Sequence, residues 1–242
     1  MTRVSINYLL LSLAILLFGT AGGAAMTRKM AGRNDELGWS FFWWMLPFCL
    51  ALFLCQCLVF PKARTRLLFQ LVFTGLMGFT LTFFLLCIIL PVFWLSPMAL
   101  PAKMVLALMF AAIFLYNLAF GWRRVNLRWA TMAAPVFERE FKPRDGTVNW
   151  DKVVRKMRIE PEIIIPGIPA KWAAAVWIFL IACMIVGLAM KSVWPAFSAF
   201  SWAIPLVLVA ACLNQVSGAV FAQAVKVRAI EKDRKIVLPS CG

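Results

Sequence analysis

Long uninterrupted runs of apolar residues dominate the chain, and short polar segments separate them. Six runs are long enough to form membrane-crossing helices: 5–26, 39–60, 67–95, 103–122, 172–190 and 202–223. Lipid offers the backbone no hydrogen-bond partner, so a spanning segment is a helix or a strand of a closed barrel. The residue-by-residue alternation of barrel strands is missing here. We therefore predict an all-α polytopic membrane protein with about six transmembrane helices.

These runs divide the chain into four parts. Residues 1–122 hold the first four predicted spans, 123–171 form a basic polar segment, 172–223 hold the last two spans, and 224–242 form a tail. The third run is longer than a hydrocarbon core of ~30 Å requires. That helix is therefore predicted to tilt, or to break near Pro91.

Composition and charge support this class and predict an orientation. Apolar residues make up 63% of the 242 residues and charged residues 14%, against about 45–50% and ~25% in soluble domains. Twenty of the 25 Lys and Arg residues fall on one side if the six spans alternate. The positive-inside rule then predicts an inner-membrane protein with both termini in the cytoplasm. It also accounts for the net charge of +15, so we predict no nucleic-acid partner.

Residues 1–25 have a second interpretation. Arg3, the apolar stretch YLLLSLAILLF and the small-residue stretch GTAGGAA are arranged as in a cleavable signal peptide. Gly19 and Gly23, however, have the GxxxG spacing that lets two membrane helices pack closely. We favour a retained span, and cleavage would leave the orientation of the other spans unchanged.

Side chains suited to catalysis are scarce. The chain has no histidine, which removes imidazole catalysis and most zinc sites, and none of its ten acidic residues lies within a predicted span. We therefore predict a non-enzymatic protein without cofactor or metal. The only enzymatic alternative is chemistry on lipid headgroups, with these residues as the available acids: Glu138, Glu140, Asp145, Glu160 and Glu162. Their simpler role is to offset neighbouring bases.

Small and amide side chains in the spans form the first candidate site. Ala210, Asn214, Gly218 and Ala222 recur every four residues and form one ridge of the sixth helix. Gln215 lies on the adjacent ridge, and Asn117 lies in the fourth span. Small residues permit close helix approach, and amides supply interhelical hydrogen bonds. The pattern predicts a helix–helix seam, within the bundle or between protomers, and the alternative is the polar lining of a transport path.

The basic segment 123–171 holds the second candidate site. We predict that the fourth helix ends near Pro135 and that a strand (136–141), a turn, a helix capped by Asn149 or Thr147 and a strand (162–165) follow. An apolar stripe on that helix comprises Trp150, Val153, Val154 and Met157, and its other faces carry Lys152, Arg155, Lys156 and Arg158. So small an insertion cannot bury a core alone. Its stripe must rest on anionic lipid headgroups of the inner face, on the end of the bundle or on a partner.

Two functional hypotheses follow from these patterns. The first is a non-enzymatic membrane protein that acts through contacts with other membrane subunits or with its own copies, as an accessory or assembly subunit or an immunity or exclusion protein. The second is a transporter or pore for a lipid, a neutral solute or an anion.

Overall fold

The computed structural model describes residues 4–31, 35–95, 99–142, 146–157, 172–190 and 192–240. The long helices within these ranges are α1 (Ile6–Met30), α2 (Asp35–Ala63), α3 (Leu67–Trp94) and α4 (Leu100–Arg128). A π-helical turn (Trp129–Ala133), α5 (Ala134–Glu140), β1 (Phe141–Lys142), β2 (Thr147–Val148), α6 (Trp150–Met157), α7 (Ala173–Ala189) and α8 (Pro195–Arg234) follow. The chain is therefore helical throughout its apolar runs, as predicted.

Five of the described helical stretches are long and apolar enough to cross a membrane. They are Ile6–Met30, Asp35–Ala63, Leu67–Trp94, Leu100–Glu140 and Phe197–Arg234. The remaining predicted span corresponds to α7, which has 17 residues, fewer than the ~20 of an average span. Multiple apolar helices of this kind fit a multi-pass membrane protein.

Helix α8 is the central element of the bundle. Its 40 residues extend over about 60 Å and pack against α3, α4 and α7. Helix α3 packs on α8 with one side and on α1 and α2 with the other. The bundle thus has two groups of helices, α1–α2–α3 and α4–α7–α8, joined along the α3–α8 contact.

The predicted break in the third helix does not occur. Helix α3 continues past Pro91 to Trp94. Proline cannot donate a hydrogen bond to the carbonyl of Cys87, four residues earlier. Gly23 of α1 lies against that same carbonyl, because a Cβ built on Gly23 would be 2.5 Å from the Cys87 oxygen. Helix α1 therefore packs against α3 at the point where Pro91 interrupts the backbone hydrogen bonds of α3.

The predicted end of the fourth helix at Pro135 and the predicted strand at 136–141 are both wrong. The helical path continues through the π-helical turn into α5, which has Pro135 in its first turn, where no N–H is needed. Apolar residues at 136, 137 and 141 are spaced for one side of a helix rather than for alternate sides of a strand. Accordingly, Phe137 and Phe141 stack with 5.6 Å between ring centroids.

The rest of the basic segment is a short hairpin followed by a helix. Strands β1 and β2 pair antiparallel, with Phe141 opposite Val148, and α6 begins two residues later. The backbone N–H of Lys152 donates to Asn149 Oδ1 at 3.4 Å, at the predicted start of that helix. The predicted strand at 162–165 lies outside the described residues, as does Arg158.

Both ends of the described chain and two connections meet at one end of the bundle, which we call the basic end. It comprises Val4, residues 62–67, residues 123–142, residues 146–157 and residues 224–240. Val4 packs with Ala63 and Phe73. The tail pairs with the α2–α3 connection, because Leu67 N donates to the Leu238 oxygen and Ser240 N to the Thr65 oxygen, both at 3.0 Å.

Candidate functional site

The amides singled out in the sixth predicted span bind residues of two other helices. Gln215 Nε2 donates to Asn117 Oδ1 of α4 at 2.5 Å, and Asn117 Nδ2 donates to the Ile113 oxygen at 2.7 Å. Thr82 Oγ1 of α3 donates to Asn214 Oδ1 at 3.3 Å. These polar side chains are buried. They join α8 to its two large neighbours in the middle of the bundle.

Glycines bring the backbones of α4 and α8 together beside the Asn117–Gln215 hydrogen bond. A Cβ built on Gly121 would collide with the Gln215 carbonyl, and one built on Gly218 would collide with the Leu118 carbonyl. Ala210 and Ala222, the other members of the Asn214 ridge, are fully buried. The ridge thus faces neighbouring helices of the same chain.

A second buried polar cluster joins α1, α2 and α3. Gln56 Oε1 accepts from Ser12 Oγ at 2.5 Å, and Gln56 Nε2 donates to Thr80 Oγ1 at 2.7 Å. Ser12 Oγ and Thr80 Oγ1 are 3.1 Å apart. Ser12, Gln56 and Thr80 are all buried. This cluster was not predicted from the sequence. A solitary amide in an otherwise apolar stretch of α2 was the available signal, but it did not reveal the partners.

Gly19 and Gly23 lie at the contacts of α1 with its neighbours. A Cβ on Gly19 would be 3.1 Å from the Phe84 Cα of α3. A Cβ on Gly23 would collide with the Phe41 ring of α2. The GxxxG pair therefore packs α1 within the bundle.

The apolar stripe of α6 is covered by the protein itself. Trp150, Val153 and Met157 have no exposed surface, and Val154 is half-buried. The residues in the same core cluster come from α3, α4, the π-helical turn, α5, α8 and the tail: Leu67, Leu71, Val125, Ala133, Phe137, Val227 and Leu238. The end of the bundle is thus the surface on which this stripe rests.

Charged residues around the stripe are partly paired. Lys152 Nζ is 2.9 Å from Glu140 Oε2, and Arg234 contacts Glu138. The Arg234 guanidinium also lies 4.8 Å from the centroid of the Phe141 ring, a cation–π geometry. Glu138 and Glu140 therefore bind different bases. Asp145, Glu160 and Glu162 lie outside the described residues.

Arg155 and Lys156 of α6 are exposed, on the side of the helix away from the stripe. Across the described ranges, no three His, Cys, Asp or Glu side chains are grouped as metal ligands would be. The basic end therefore presents positively charged side chains on a folded support.

Comparison of the chain with protein-family models, with curated proteins and with solved structures found no significant match.

Proposed function

We propose that this chain is a non-enzymatic protein of the cytoplasmic membrane that acts by binding another membrane protein at its basic end. One observation carries the proposal: helix α6 is packed onto the end of the bundle, yet two of its bases remain exposed. Helix α6 buries Trp150, Val153 and Met157 and leaves Arg155 and Lys156 exposed. Cations held on a rigid support recognise an acidic surface without first being ordered.

The polar interior supports a binding role over a transport role. Asn117, Asn214 and Gln215 would line a path through the bundle, but these side chains bind one another or Thr82 across helix contacts. Close backbone packing at Gly121 and Gly218 leaves little room beside them. In this proposal, the amides therefore stabilise the contacts between helices.

We infer six crossings with both termini in the cytoplasm. Residue 157 lies at the basic end, whereas α8 starts at the opposite end, where Phe200 contacts Phe93. The chain must therefore cross once between them. Helix α7 supplies that crossing, because Gly187 near its end meets Ser201 near the start of α8, while Trp177 packs near Cys212. Charge then assigns the basic end to the cytoplasm.

Reporter fusions test this orientation. Green fluorescent protein fused after the tail is expected to fluoresce, and alkaline phosphatase fused at Ser192 is expected to be active, because each reporter works on only one side of the membrane. Inactive phosphatase at Ser192 beside a fluorescent tail would mean that α7 does not cross.

Site-specific photo-crosslinking in native membranes tests the binding role. A photoreactive residue at Arg155 on α6 is expected to capture one discrete protein. The control position is Leu108 on the outer face of α4, which is 67% exposed and is expected to capture mainly lipid. Capture of lipid alone from both positions would contradict the proposal. Solute flux into liposomes containing only this protein would replace it with the transport hypothesis.

A further inference from the structure

A groove opens between α3, α4 and α8 at the basic end. Its volume is about 790 Å³. The floor is apolar and is formed mainly by Leu68, Phe69, Val72, Trp122 and Phe221. The rim carries the bases Arg66, Arg228 and Lys232. An apolar surface therefore lies next to a group of cations. A phospholipid has the matching arrangement, with acyl chains next to a phosphate.

The floor is held in place by packing. The Phe221 ring fills the space that a side chain at Gly75 would occupy, because a Cβ there would be 2.7 Å from the ring. The same ring stacks on Phe79, with 5.6 Å between centroids. Val225 and Trp122 are 48% and 38% exposed, so the groove is open on its outer side, where lipid surrounds a membrane-crossing bundle.

The bases of the rim are not neutralised by neighbours. Arg228 and Lys232 are four residues apart and so share one face of α8, and Arg66 immediately precedes α3. Within the described part of the chain, none of these three side chains forms an ion pair. Glu231 also lines the groove, but its Oε1 accepts a hydrogen bond from Leu238 N of the tail at 2.9 Å. The rim therefore keeps a net positive charge.

We propose that this groove binds one anionic phospholipid from the leaflet at the basic end. The phosphate binds Arg66, Arg228 and Lys232, and an acyl chain lies along Val72 and Phe221. Basic pockets between membrane helices bind anionic headgroups in this way, and an indole such as that of Trp122 favours the headgroup level. The apolar floor selects a lipid over a soluble phosphate. This proposal does not depend on the protein partner proposed above.

Native mass spectrometry of the delipidated protein in detergent tests the groove directly. The wild-type chain is expected to retain one phosphatidylglycerol, and phosphatidylcholine at the same concentration should bind at least about tenfold less. The triple variant Arg66→Gln, Arg228→Gln and Lys232→Gln is expected to lose at least about tenfold in phosphatidylglycerol binding. A matched triple variant of other bases at the same end should keep wild-type binding: Arg123→Gln, Arg155→Gln and Lys156→Gln.

A second variant tests the floor without changing charge. Val225→Trp fills the groove from its open side and is expected to reduce phosphatidylglycerol binding while the protein remains monodisperse. Soluble glycerol phosphate at millimolar concentration should not displace the lipid. Equal loss of binding in the two triple variants, equal binding of both lipids, unchanged binding in Val225→Trp, or displacement by glycerol phosphate would each overturn the proposal.

Discussion

The two buried polar clusters of the bundle are built in different ways. Between α4 and α8, the Asn117–Gln215 pair lies where glycines let the two backbones touch. Among α1, α2 and α3, the Gln56 side chain bridges two hydroxyls on different helices. The first cluster depends on close backbone approach, and the second depends on one amide. Added volume should therefore damage the first most, and loss of the amide should damage the second most.

The largest effect is expected from added volume at the α4–α8 contact. Gly218→Leu places a side chain against the Leu118 carbonyl, where even a Cβ collides with the backbone. The clash is with backbone atoms, so the two helices must move apart to relieve it, and we expect a loss of about 3 kcal/mol in the free energy of unfolding. Titration with SDS in mixed micelles measures that free energy.

The matched control for this variant is Gly22→Leu in α1. A Cβ on Gly22 would meet nothing within 4 Å, so the same added volume should change the free energy of unfolding little. Equal losses at the two glycines would mean that helix flexibility, rather than the close contact at Gly218, sets the effect.

The next largest effect is expected at Gln56. Gln56→Leu keeps a similar volume but removes the group that accepts from Ser12 and donates to Thr80. Interhelical hydrogen bonds in membranes contribute on average ~0.6 and at most ~1.7 kcal/mol each, so we expect a loss of about 1–3 kcal/mol in the same unfolding titration.

Gln223→Leu is the matched control for Gln56→Leu. Gln223 is also a buried amide, but its Oε1 has no hydrogen-bond partner in the described part of the chain. Removing an unpaired buried oxygen should leave stability unchanged or increase it. If both variants lose stability equally, volume and shape, rather than hydrogen bonding, explain the Gln56 result.

The contrast between the clusters shows what could be predicted from the sequence. Hydropathy predicts the helices well, because each apolar run satisfies its own backbone within the helix. The four-residue spacing on α8 predicts that Gly218 lies on a packing ridge, and a Cβ at this position would collide with the Leu118 carbonyl of α4. Both signals are local, so a single segment contains all the information they need.

Pairing between helices could not be predicted, because it depends on which helices are neighbours and how each is rotated. Ser12, Gln56 and Thr80 lie on three helices, and nothing in their own segments relates one to another. The misassigned strand at 136–141 has a different cause: the stretch is short, and its apolar residues at 136, 137 and 141 do not follow the strict alternation of a strand. Tertiary contacts of Phe137 decide in favour of the helix.

A double-mutant cycle on Asn117 and Gln215 measures the side-chain part of the α4–α8 contact alone. Asn117→Leu, Gln215→Leu and the double variant leave the glycines unchanged. We expect a coupling energy of about 1 kcal/mol in the unfolding titration, because either single change already removes the hydrogen bond.

The control cycle pairs Asn117 with Gln56, which belong to different clusters. Their effects should add to within about 0.5 kcal/mol. A coupling as large as that of Asn117 with Gln215 would mean that the two clusters are not energetically separate, and it would remove the basis of the comparison.

The smallest effect is expected at Thr82, which joins α3 to Asn214 of α8. Thr82→Val keeps the shape but removes a hydroxyl that donates over 3.3 Å, a long hydrogen bond, so a loss of about 0.5 kcal/mol is expected. The control is Thr74→Val on the same helix. The Thr74 hydroxyl donates to the backbone oxygen of Gln70 in α3 itself, so this substitution is expected to have no effect on stability. Stability lost equally in both would show that the Asn214 contact contributes nothing of its own to holding α3 on α8.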